Sequence, residues 1–90
     1  MQNKSSDTLL EFPCEFTLKA MGLQSGDFQS IVENIVKRHL DSTASISGKA
    51  NQSSKGKYMS ISVSFTASSK PQIDAIYMDL SSESRVLVAL

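Results

Sequence analysis

A chain of 90 residues is one domain's worth, burying roughly 60% of the surface its unfolded form exposes. Its nine basic and nine acidic side chains leave no net charge, which argues against bulk attraction to nucleic acid or an anionic membrane. No apolar run approaches the length of a membrane span, the single Cys14 rules out an internal disulfide, and without a signal-peptide pattern the expected compartment is the cytoplasm.

Residues 1–8 (MQNKSSDT) are polar and carry no apolar period, so they read as a flexible tail ahead of one domain over 9–90. In 15–21 (EFTLKAM), Phe16, Leu18 and Ala20 alternate with Glu15, Thr17 and Lys19, which is the signature of a half-buried strand. Pro13 suits the position ahead of it, because proline lacks a ladder donor. A loop, GLQSG, follows, and Ser25 or Asp27 can cap the next element. Residues 27–40 form an amphipathic helix with Phe28, Ile31, Val32, Ile35 and Val36 on its stripe, and Lys37, Arg38 and His39 suit the dipole of its last turn.

Residues 43–50 (TASISGKA) make a weaker strand of small side chains. NQSSKG breaks the pattern, and 57–67 is the cleanest strand of all. There Met59, Ile61, Val63, Phe65 and Ala67 alternate with Tyr58 and hydroxyl residues. Pro71 opens a second helix with Ile73, Ile76, Tyr77 and Leu80 as its buried stripe, and 85–90 (RVLVAL) is a last strand. The order β-α-β-β-α-β is solved economically by an α+β, ferredoxin-like sandwich. In it a four-stranded antiparallel sheet carries both helices on one face and has its first and third strands in the centre.

The charges are unevenly spread. No Asp or Glu occurs from 42 to 73, whereas Lys49, Lys55, Lys57 and Lys70 all fall there. The stretch NQSSKGKY lies within that basic sector. A P-loop sets its glycines ahead of a Lys-Ser/Thr pair, between a strand and a helix. Here a strand follows, so the reading is a hairpin turn in which Gly56 supplies an angle other residues resist. Lys19, Lys49, Lys55, Gly56 and Lys57 remain as contacts for an anionic partner.

Cys14 and His39 are the only thiol and imidazole. A catalytic pair would need a third group to orient it, and none is evident, so packing and helix capping are the expected roles. One cysteine and one histidine cannot fill a zinc site, so no metal and no cofactor are expected. The outer sheet face carries Thr17, Lys19, Ser45, Ser47, Lys49, Ser60, Ser62 and Ser64. An RNA-recognition module of this topology stacks bases on aromatic residues, and Tyr58 is the one ring nearby.

Leu9 to Cys14 (LLEFPC), Phe16, Lys19 and Met21-Gly22, with Ser53-Ser54-Lys55-Gly56, Tyr58 and the terminal RVLVAL, resemble the YbeD-like family of small bacterial proteins. The resemblance implies a ferredoxin-like fold and a likeness to ACT regulatory domains. It also implies an association with the octanoyltransferase of lipoate synthesis, and it brings no catalytic residues. ACT domains hold an amino-acid ligand with an acidic residue and a glycine at the loop after the first strand, where this chain offers Gly22, Gly26 and Asp27.

The expected function is a non-catalytic regulatory or protein-interaction module, linked through the resemblance to lipoate metabolism. It would have a protein partner or form a homodimer through sheet faces or edges, with no membrane partner. An ACT-like small-ligand sensor is the alternative. A weak nucleic-acid binder using Lys19, Lys49, Lys55 and Lys57 comes next, and an enzyme last, for want of a convergent set of titratable groups.

Overall fold

The structure, a computed structural model, describes residues 11–52 and 55–90. The expected tail at 1–8 lies outside the described residues, as do Ser53 and Ser54 of the hairpin loop. The elements run β1 (Cys14–Leu23), α1 (Phe28–Lys37), β2 (Ser47–Gln52), β3 (Tyr58–Ala67), α2 (Lys70–Ser82) and β4 (Val88–Ala89). The sheet order is β2-β3-β1-β4, with the first and third strands central. The fold is therefore the ferredoxin-like sandwich that the element order implies.

The alternation along β1 and β3 explains why these strands form the middle of the sheet. They pair antiparallel along their whole length, from Cys14 opposite Ala67 to Leu23 opposite Tyr58. Each turns one apolar row toward the helices, so Leu18, Ala20, Met59, Ile61, Val63, Phe65 and Ala67 are buried. The helical stripes meet that row with Phe28, Val32, Ile35 and Val36 from α1 and Ile73, Ile76 and Leu80 from α2. Each large side chain so buried contributes about 1.5–3 kcal/mol. Phe16 extends the core outward, with its ring 6.0 Å from Phe65 and 6.4 Å, edge-on, from Tyr77.

The edges depart from the sequence reading. β2 begins at Ser47, not 43, and runs through Asn51 and Gln52, which the sequence places in the turn. Its pairing with β3 fixes this, with Ser47 opposite Ser64 and Gln52 opposite Met59. A strand of weak propensity takes its limits from the strong partner beside it. Within the turn Gly56 has φ +71°, an angle that suits glycine. β4 is also shorter than its apolar run. Arg85 and Val86 belong to the turn after α2, where the Val86 amide donates to the Glu83 carbonyl at 3.0 Å. Beyond them the Leu87 amide donates to Met21 and the Leu90 amide to Lys19, both at 2.8 Å.

The helix caps also differ. Asp27 sits at the N-cap of α1 but makes no side-chain cap, because its carboxylate is engaged by Arg85. Ser69 caps α2 by accepting from the Gln72 amide at 3.2 Å. Gln72 accepts from the Ser68 amide and donates to the carbonyl of His39, tying the start of α2 to the end of α1.

Candidate functional site

The helices cover one face of the sheet and leave the other open. Register orders that open face into rows that run across the strands. At one end Glu15 lies opposite Thr66. Next come Thr17, Ser64 and Ser47, with the Thr17 and Ser64 hydroxyls 2.8 Å apart. The third row places Lys19 and Lys49 on either side of Ser62, and Leu90 exchanges two backbone hydrogen bonds with Lys19. The fourth row reads Asn51, Ser60, Met21 and Val88. Leu23 and Tyr58 close the face. Successive rows are about 7 Å apart and neighbouring strands about 4.8 Å.

The first three rows are therefore largely polar, with the central Ser62 and Ser64 half-buried between the flanking strands. The other half of the face is apolar and open. Met21, Leu23, Tyr58, Val88 and Leu90 are exposed by 36 to 67% of their surfaces. A shallow concavity of about 160 Å³ lies at this end, lined by Met21, Asn51, Gln52, Tyr58, Met59 and Ser60. The sequence pattern reads as a face of hydroxyls and lysines and does not announce this apolar half.

The expected contact lysines divide between two places. Lys19 and Lys49 sit in one row of the open face, whereas Lys55 and Lys57 lie at the hairpin beside it. The Lys57 ammonium stands 5.6 Å from the centre of the Tyr58 ring, and the Lys57 carbonyl accepts from the Gln24 amide. Among the described residues, the ion pairs leave Lys19, Lys49, Lys55 and Lys57 without an acidic partner. Ser45 lies ahead of β2, off the ladder.

Gly22, Gly26 and Asp27 belong to a different region, where β1 passes into α1. Gly22 is packed tightly. A methyl group there would meet the Phe28 ring at 2.7 Å and run into the Arg85 carbonyl. Gly26 faces open space. Asp27 accepts from the Arg85 guanidinium at 2.8 Å and from the Ser25 hydroxyl at 2.9 Å. Those two donors hold its carboxyl below the usual aspartate range.

Cys14 and His39 are not joined into a pair. Cys14 is half-buried in the ladder opposite Ala67. The His39 ring contacts the Asp79 carboxylate of α2 at 2.9 Å, with Arg38 3.8 Å from the same oxygen. Together with Gln72 this cluster braces α1 against α2. Among the described residues, no group of three or more His, Cys, Asp or Glu gathers as a metal site, and no helix is long and apolar enough to cross a membrane.

Residues 7–90 match the family described as proteins of unknown function, DUF493. The chain belongs to that family. Its relatives carry the name UPF0250 protein. One from Ruthia magnifica is 40% identical over 78 residues, covering 87% of this chain and 85% of the relative. One from Neisseria meningitidis is 35% identical over 89 residues, covering 99% and 98%. These matches bear out the resemblance to small uncharacterised bacterial proteins. The solution structure of protein HP0495 from H. pylori superimposes with a TM-score of 0.71 at 18% identity, covering 100% of this chain and 98% of that one. That likeness supports the fold.

Proposed function

We propose that the protein is a non-catalytic interaction module that docks a protein partner on the open face of its sheet. The observation that carries this reading is the contiguous apolar half of that face, where Met21, Leu23, Tyr58, Val88 and Leu90 stand exposed side by side. Scattered surface hydrophobics need no explanation, but a contiguous patch on an otherwise polar sheet marks a contact surface. Among the described residues, the ion pairs between elements, His39 and Arg38 with Asp79 and Arg85 with Asp27, are engaged in joining the fold, and Lys70 with Asp74 lies within α2.

The test is a comparison of partners captured from the native host by the wild type and by Met21→Ser with Val88→Ser. Asp74→Asn, on the helical layer, serves as the control. The patch variant should fold, keep its melting temperature and lose a partner that the control keeps. Identical capture by all three proteins would refute the docking face. The resemblance makes the octanoyltransferase of lipoate synthesis the first partner to assay directly.

A further inference from the structure

We infer that the occupant of the open face is an acidic amphipathic helix of a partner protein, an inference that rests on the docking reading above. Three observations define its chemistry. The first is size. The apolar half spans β3, β1 and β4, two strand spacings or about 10 Å. That is about the width of one α-helix with its side chains. The row of Met21 and Val88, between Leu90 and Leu23, gives such a helix an apolar strip to lie on.

The second is charge. Lys19 and Lys49 stand in the row adjoining that strip, about 10 Å apart across Ser62, and take part in no described ion pair. Lys57 borders the strip at its far end, beside Tyr58. The strip is thus flanked by ammonium groups on two sides. A helix with glutamate or aspartate beside its apolar stripe pairs with both features at once.

The third observation is what the face lacks. Among the described residues, Glu15 is the one acidic residue at an outward strand position, two rows from Lys19, about 14 Å away. That exceeds the screening length of about 8 Å at physiological salt. A second copy stacked on this face would bring lysine rows to a surface with almost no acid to answer them. A single-stranded nucleic acid would find the cations but only the Tyr58 ring to stack on.

The test titrates the intact protein, labelled with ¹⁵N, with a fluorescein-labelled amphipathic peptide whose leucine and phenylalanine stripe is flanked by glutamate. Two other probes accompany it: the same peptide with lysine in place of glutamate, and an oligouridine strand. The acidic peptide should bind and move the amide signals of Met21, Ser62 and Val88. Lys19→Glu with Lys49→Glu should weaken it by roughly tenfold, a loss that shrinks as salt is raised. If that variant does not fold, Lys19→Gln with Lys49→Gln carries the same comparison at a smaller effect. Equal binding of the lysine peptide to the same amides would overturn the acidic partner while leaving the docking face standing. Tighter binding of oligouridine at that face, or self-association that buries Met21 and Val88, would also overturn it. If neither peptide moves those amides, the docking face fails as well.

Discussion

Gly22, near the end of β1, and Gly26, in the loop that follows, are four residues apart, yet adding one methyl group has opposite consequences at the two. At Gly22 it meets the Phe28 ring and the backbone of Arg85, neither of which can swing aside. Gly22→Ala should therefore cost about 1–3 kcal/mol, as overpacking of a filled site does. At Gly26 nothing lies within reach of the added carbon, so Gly26→Ala should leave stability unchanged or raise it by about 0.4–1 kcal/mol. Urea melts of the two variants check the pair, and equal losses would refute the packing account. Asp27, in the same loop, gives a pH prediction. The hydrogen bond from Arg85, then that from Ser25, lowers its pKa from the ordinary 3.8. A carboxylate depressed in the folded state adds stability above its unfolded pKa and loses it as pH falls through the folded value. Arg85→Gln should bring the Asp27 titration back toward 3.8, read by NMR of its carboxyl carbon. An unmoved titration curve would show that the guanidinium is not the cause.

At the scale of elements, the two helices show which signals the sequence carries. The apolar stripes of α1 and α2 fall where the 3.6-residue period puts them, except that Ile31 and Tyr77, expected in the buried stripes, lie at their margins and are only partly buried. The caps were less legible. Asp27 looked like a cap because its type and position are right, but a cation from the far end of the chain, Arg85, takes its carboxylate. No local pattern announces that contact. Ser69-Lys70-Pro71-Gln72 has the spacing of a capping box, a signal that the proline at the helix start overshadows. The hydroxyl satisfies a helix donor that would otherwise have no partner, so Ser69→Ala should cost about 1 kcal/mol and Ser69→Gly only a few tenths. For a domain of this size the alanine loss corresponds to a fall of roughly 5 °C in melting temperature. Calorimetry on both variants tests it, and an alanine variant that melts with the wild type would remove the cap from the account.

For the whole molecule, the layer arrangement was readable because period-2 and period-3.6 patterns alternate in an order with one economical solution. The apolar end of the open face was not, for reasons of register. Met21 closes the alternating run, and Leu23 lies in what reads as a loop. Val88 and Leu90 lie in RVLVAL, whose unbroken apolar character gives no period to separate inward from outward residues. Only the pairing of Met21 with Val88 and of Lys19 with Leu90 sets these side chains on one face. The same pairing predicts how the sheet yields. β1 and β3 share a ladder ten residues long and carry the row that packs on the helices, whereas β2 faces solvent along nearly its whole length and β4 is paired over a few residues. Local opening follows buried contacts, so the edges should exchange their amide hydrogens without global unfolding. Amides of Leu18, Ala20, Ile61 and Val63 should be the slowest, with exchange free energies equal to that of unfolding. Ladder amides of β2 that pair with β3 should exchange faster, and Leu87 and Leu90 of the opposite edge faster still. Native-state exchange in low denaturant separates these groups. If the β2 and β4 amides exchange only with the core, the sheet opens as one unit and its edges are not independent. If β4 alone is slow, the face that carries Val88 and Leu90 is held more firmly than its short ladder accounts for.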